Sequence, residues 1–157
     1  MSRPARVSVL LPIYQAEATL PACLRSLARQ TFADWEAVVL DDGSLDGGAE
    51  VVRHAGRLDP RLRLVQRPHA GLVAALNAGL EHCRAPLVAR MDGDDVMHRR
   101  RLELQVAALD AAPALAGVGC RVRIAPRRGM SDGLRQYEAW LNAIDGAAAV
   151  RRERFVE

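Results

Sequence analysis

The sequence predicts an α/β fold: an open, mostly parallel sheet with helices on both faces. Three observations carry this expectation. Short β-rich runs alternate with longer segments whose apolar residues recur at i, i+3, i+4 and i+7. The β-rich runs are apolar for most of their length, as strands covered on both faces are. The chain also has the length and composition of one domain with a real core: 157 residues, 50% hydrophobic and 26% charged.

The elements follow in order. Val7 to Leu11 is a first strand stopped by Pro12. A helix follows in which Leu20, Cys23, Leu24, Leu27 and Ala28 form one buried stripe, with Thr19 placed to cap it and Pro21 tolerated in its first turn. Trp35 to Leu40 is a second strand, ending abruptly at Asp41-Asp42-Gly43-Ser44. Asp46 opens a helix that runs to about Leu58. Leu62 to Val65 is a third strand, Gly71 to Cys83 a helix, and Pro86 to Met91 a fourth strand running into Asp92-Gly93-Asp94-Asp95. Arg101 to Leu109 is helical, with Asp95 available as a cap. Leu115 to Ile124 reads as one or two further strands. After a break at Gly129 to Gly133, Leu134 to Ile144 and Ala147 to Phe155 read as helices. The expected organisation is an α/β domain over residues 1–125 and a helical extension over 126–157.

Composition narrows the function. All 22 basic side chains are arginine and the chain has no lysine. That excludes a phosphate loop of the Walker type and a Schiff-base enzyme, both of which need a lysine amine. A net charge of +3 with 4% aromatics does not argue for nucleic acid, and the clusters Arg99-Arg100-Arg101 and Arg151-Arg152-Arg154 read as solvated helix faces. Cys23, Cys83 and Cys120 form no metal or redox pair, and this usage fits a reducing cytoplasm. No apolar run reaches the roughly 20 residues of a membrane span, and no signal-peptide pattern opens the chain.

In an open parallel sheet, ligands bind beyond the carboxyl ends of the strands. Pro12, Tyr14 and Glu17 lie past the first strand, Asp41 and Asp42 past the second, and Asp92, Asp94 and Asp95 past the fourth. Such a concentration of carboxylates needs a cation or hydrogen-bond donors to offset it. Rival readings fail on single residues. The first turn holds no glycine for a dinucleotide fingerprint, no lysine exists for a receiver domain, and no G-x-S-x-G string occurs. Asp92 and Asp94, one residue apart at a strand end, can aim at one Mg²⁺ or Mn²⁺ ion whose other ligands are water and phosphate oxygens. A polar turn is the plainer reading of that string taken alone. Of the four histidines, only His98 lies near Asp94, and it reads as a surface residue.

Four blocks in register carry a resemblance: Val7-Ser8-Val9-Leu10-Leu11-Pro12-Ile13-Tyr14, Asp41-Asp42-Gly43-Ser44, Leu76-Asn77-Ala78-Gly79 and Arg90-Met91-Asp92-Gly93-Asp94-Asp95. Over about Arg6 to Cys120 the chain resembles the family 2 glycosyltransferases of GT-A fold. The resemblance implies a nucleotide-sugar donor, UDP-linked by preference, and transfer with inversion to a saccharide, lipid or other hydroxyl acceptor. It places Pro12 and Tyr14 beside the base, Asp42 on a ring nitrogen of the base, and Glu17 at a frequently acidic position. It places Asp92 by the ribose or sugar and Asp94 on the metal. The family's downstream general base and its Q-x-x-R-W string have no match here. Asp132, Glu138, Asp145 and Glu153 read as caps or exposed faces. The expectation is therefore the donor-binding half of a longer protein, with the base beyond Glu157. The alternative is a module that binds nucleotide-sugar without transferring it, or a remnant that binds nothing.

Overall fold

The four apolar runs become strands β1 (Val7–Ile13), β2 (Trp35–Asp41), β3 (Leu62–Gln66) and β4 (Leu87–Arg90) in a computed structural model that describes residues 5–153. All are parallel, in the order β3-β2-β1-β4. The register runs from Val7 opposite Trp35 to Ile13 opposite Asp41, and from Val7 opposite Leu87 to Leu10 opposite Arg90. Helices α1 (Leu20–Ala28), α2 (Gly48–Leu58), α3 (Leu72–His82) and α4 (Arg101–Ala111) connect and flank the strands.

Burial explains why the strand runs are apolar without alternation. Every residue of β1 is buried. Val7, Val9, Leu11 and Ile13 form one face and pack with Leu20, Cys23, Leu24 and Leu27 of α1, Val52 of α2, and Leu102 and Val106 of α4. The other face carries Ser8 and Leu10 and is covered by α3, which lies against β1 and β2. Gly79 permits that approach, since a Cβ at this position would overlap the Cδ1 of Leu10. A sheet with helices on both faces is the predicted fold class, and the structure has it.

Local details differ from the sequence reading for identifiable reasons. β1 does not stop at Pro12 but continues to Ile13, with Pro12 opposite Leu40. The Leu10 carbonyl faces β4 and the Ile13 carbonyl faces β2, so the nitrogen of Pro12 points toward β4, where pairing has already ended at Leu10. A missing N–H costs nothing there. Thr19 occupies the position before α1 but makes no side-chain cap; its hydroxyl donates to the carbonyls of Ala16 and Gly93 instead. Asp46 precedes the α2 cap residue Gly47 and accepts the Gly48 N–H at 3.0 Å. Asp95 caps no helix, because α4 begins only at Arg101.

The chain groups into two compact units that divide between Pro113 and Ala114, ahead of the boundary expected at 125. The second unit contains α5 (Asp132–Ala143) and α6 (Gly146–Glu153). No strand forms between Leu115 and Ile124, contrary to the sequence reading. Helix α5 holds this segment instead: Asn142 brackets the N–H and the carbonyl of Val122, both at 2.8 Å, and Glu138 accepts the Ile124 N–H at 2.5 Å. Side chains thus take the backbone groups that a neighbouring strand would have taken. The predicted last helix extended to Phe155, which lies outside the described residues.

Candidate functional site

The strand order decides where a ligand can sit. The chain lays down β1, β2 and β3 in one direction, then crosses to the other side of β1 to place β4. The carboxyl ends of β1 and β4 therefore flank the point where the winding reverses, the usual crevice of an open α/β sheet. A cavity of about 430 Å³ lies there, lined by Pro12, Tyr14, Gln15 and Thr19 from the β1 side and by Arg90, Asp92, Gly93 and Asp94 from the β4 side.

The acidic turn is held by α1. Thr19 Oγ1 donates to the Gly93 carbonyl at 3.0 Å, and the Ser26 hydroxyl and Gln30 amide bind the chain at Met97, His98 and Leu102. Gly93 sits in a tight place, since a Cβ would lie 3.1 Å from Ile13 Cγ2. Arg90 forks onto Asp92, with Nε and Nη2 at 3.2 and 3.3 Å from its two oxygens. Asp94 is exposed and forms no hydrogen bond or ion pair with a described residue. The negative field is felt by its neighbours. Burial, then Asp94 and Asp92, push the Asp95 carboxyl up, against the pull of Arg101 and Arg90. Burial, then Asp95, Asp94 and Asp92, push the Cys23 thiol up to about 12.

This arrangement fits a hard divalent cation. Among the described residues no group of three or more His, Cys, Asp or Glu side chains could enclose a metal. Asp94 and Asp92 would supply one or two oxygens, leaving the rest of the shell to water and ligand phosphate, as Mg²⁺ and Mn²⁺ prefer. His98 Nδ1 accepts the Arg100 N–H at 3.3 Å.

The second acidic pair has different surroundings. Asp41 accepts the Ser44 N–H at 2.9 Å and the Gln66 amide at 3.0 Å. The Asp42 side chain is only 4% exposed, and it organises the loop after β3. Its carboxylate takes the N–H groups of Ala70 and Gly71, the latter at 2.7 Å, and lies 2.9 Å from His69 Nδ1 and 3.5 Å from Arg67 Nε. Burial raises its pKa, but those two N–H groups, His69 and Arg67 together outweigh burial and leave it below the ordinary aspartate value of 3.8. A carboxyl so depressed in the folded state stabilises above its unfolded pKa and loses that contribution as pH falls through the lower folded value. The thermal midpoint is accordingly expected to fall on acidification below pH 3.8 and to fall less in Asp42→Asn. Equal acid sensitivity of the two proteins would remove Asp42 from this role.

Tyr14 lines the cavity, and its ring stacks on His69 with centroids 4.2 Å apart. Glu17 faces elsewhere: its carboxylate accepts the Gly47 N–H at 2.9 Å, at the positive end of α2. Asp46 returns the favour by accepting the Glu17 N–H at 2.8 Å. Gln15, absent from the sequence reading, does similar work from a positive φ of 51°. Its side-chain oxygen takes the N–H groups of Leu45 and Asp46, both at 3.1 Å. The loops after β1 and β2 are thereby stitched into one rim. Arg67, His69 and Arg90 were also given no role by the sequence, since nothing but their place beyond β3 or at the end of β4 marks them. In the second unit, Glu138 is bound by Arg127 at 2.7 Å and Glu153 by Arg152 at 2.9 Å, and Asp132 pairs with Arg135 at 3.3 Å.

Comparison with known proteins agrees with this geometry. Residues 8–153 match the family Glycosyl transferase family 2. The chain belongs to that family. The putative glycosyltransferase EpsE of Bacillus subtilis (strain 168) is 38% identical over 112 residues, which are 70% of this chain and 40% of that protein. The UDP-Glc:alpha-D-GlcNAc-diphosphoundecaprenol beta-1,3-glucosyltransferase WfgD of Escherichia coli is 34% identical over 104 residues, 66% of this chain and 40% of that protein. Among solved structures, S. aureus TarS 1-349 in complex with UDP-GlcNAc superposes with a TM-score of 0.66 at 27% identity, covering 78% of this chain and 37% of TarS. The mannosyltransferase PcManGT from Pyrobaculum calidifontis, in complex with GDP-Man and Mn²⁺, gives 0.68 at 29% identity, with coverages of 78% and 37%. The fold is therefore that of the GT-A transferases, and this family 2 chain spans about 40% of the length of such curated relatives. No helix among the described residues is long and apolar enough to cross a membrane.

Proposed function

We propose that this chain is the donor-binding portion of a glycosyltransferase, taking a nucleoside-diphosphate sugar, by preference UDP-linked, for inverting transfer to an acceptor hydroxyl. One observation carries the reading. The cavity at the β1/β4 switch point has Pro12 and Tyr14 on one wall and Asp92 and Asp94 on the other. An aromatic and proline wall suits a base, and a carboxylate wall suits a cation-bound diphosphate. The similarity to TarS with UDP-GlcNAc and to PcManGT with GDP-Man and Mn²⁺ supports this assignment.

Each residue then has a distinct task. Asp94, with no hydrogen bond or ion pair to a described residue, would hold Mg²⁺ or Mn²⁺, and Asp92, oriented by Arg90, would face the ribose or sugar and reach the same ion. The cation when bound would act as a Lewis acid on the leaving diphosphate. Pro12 and Tyr14 would flank the base, and Asp42 would accept from its ring nitrogen. Glu17 serves them indirectly, by tying the Tyr14 loop to α2. Acceptor activation needs a general base. The acidic residues Asp132, Glu138 and Glu153 are each engaged by arginine.

Calorimetric titration with UDP and UDP-sugars, with Mn²⁺ and then with excess chelator, tests the reading. Saturable heat that requires Mn²⁺ is the expected result. No heat with any nucleotide-sugar would overturn it. Donor hydrolysis or transfer to a panel of acceptors would separate a self-sufficient enzyme from a module that binds without transferring.

A further inference from the structure

We propose that His69 is an internal stand-in for the nucleobase, and that it sets the affinity of the nucleoside subsite. The inference rests on the assignment of Tyr14 and Asp42 to the base.

The imidazole makes both contacts that the assignment gives to a base ring. One face stacks on Tyr14, with centroids 4.2 Å apart and planes inclined by 25°. One ring nitrogen, Nδ1, lies 2.9 Å from Asp42 Oδ2 and 3.0 Å from the Asp42 carbonyl oxygen. The hydrogen bond goes to the carbonyl oxygen, which only accepts, so Nδ1 carries a hydrogen, and the carboxylate oxygen is its close charged neighbour. An aromatic ring lying on Tyr14 with an N–H on Asp42 is the pose expected of uracil with its N3–H, or of guanine with its N1–H.

Burial says which partner can yield. The Asp42 side chain is 4% exposed and that of His69 is 52% exposed. The other donors to Asp42 include the backbone N–H groups of Ala70 and Gly71, which are fixed by the loop. The backbone of His69 is clamped too: at Gly43, with φ of +77°, even a Cβ would come within 2.7 Å of the His69 nitrogen. The half-exposed imidazole can rotate away into solvent. A base that enters must displace both of its contacts, the stack on Tyr14 and the hydrogen bond to the Asp42 carbonyl, while the carboxylate keeps its backbone donors Ala70 and Gly71.

The consequence is a threshold. Binding through diphosphate and cation alone leaves His69 in place, whereas seating the base requires its expulsion. Apparent affinity for a whole nucleotide is lowered by the fraction of protein whose subsite is open.

His69→Ala removes the competitor and leaves Tyr14, Asp42 and the acidic turn untouched. Titration of the full chain with UDP and, separately, with inorganic pyrophosphate, both with Mn²⁺, reads the effect. UDP is expected to bind roughly three- to tenfold tighter to the variant, a factor that one modest hydrogen bond or ring stack supplies. Pyrophosphate is expected to bind as before. In the parent protein, the His69 ring proton resonances should move toward solvent-exposed values on adding UDP and stay in place with pyrophosphate. Weaker UDP binding by His69→Ala would make the imidazole a wall of the subsite and overturn the proposal, as would unchanged UDP binding. If the parent protein binds neither UDP nor pyrophosphate with Mn²⁺, the donor-site reading itself fails, a result distinct from either.

Discussion

Asp94→Asn is expected to weaken Mn²⁺-dependent UDP binding by about 100-fold or more while leaving the thermal midpoint within a few degrees of the parent. Groups that merely orient a metal ligand are worth about 10- to 100-fold in metal affinity, so a direct ligand should stand at or above the top of that range. Stability should not suffer, because Asp94 makes no hydrogen bond or ion pair with a described residue. Its removal also relieves repulsion within a turn whose charges already raise the Asp95 carboxyl. Calorimetry with UDP at saturating Mn²⁺ checks the first half and thermal melting the second. An Asp94→Asn protein that binds UDP as tightly as its parent would take the cation away from this residue.

Leu11→Ala should have the opposite profile: a large loss of stability from a position outside the cavity. Leu11 is 0% exposed at the heart of β1, and it packs within the cluster formed by α1, α2 and α4. Truncating such a leucine removes the transfer energy of the lost carbons and leaves a cavity, together about 2–5 kcal/mol. For a domain of this size, that lowers the melting midpoint by roughly 10 °C or more. Leu45→Ala is the control. Leu45 is 91% exposed, and its replacement should stay within about 0.5 kcal/mol. If the two variants melt together, the packing account of the core is wrong.

The elements best read from sequence were those whose pattern reports burial directly. β1 and β2 are apolar on both faces because helices cover both, and α1 shows its stripe because only one side of it meets the sheet. Misreadings arose where a residue's partner lies far along the chain. Leu115 to Ile124 has the composition of a strand, yet Asn142 and Glu138 bind its backbone, and no local pattern announces them. Thr19 has the chemistry of a cap, but the Gly93 carbonyl lies within its reach.

The candidate site divides in the same way. The acidic blocks after β2 and β4 were legible because carboxylates clustered at strand ends demand an explanation. His69, Arg67, Gln15 and Arg90 were not, since each is an ordinary polar residue until the loops meet.

By itself, the sequence determined the fold class, the family and the wall of aspartates. These follow from hydrophobic periodicity and from short motifs, which are properties of neighbours along the chain. Only the tertiary structure decided what surrounds each acid. Asp42 and Asp94 look alike as residues. One is enclosed by a loop 28 positions downstream and spends its charge on Ala70 and Gly71. The other stands exposed at the turn, with no hydrogen bond or ion pair to a described residue. Burial and partners, rather than residue type, set the charge that a carboxylate can offer to a ligand, and both depend on contacts between distant parts of the chain.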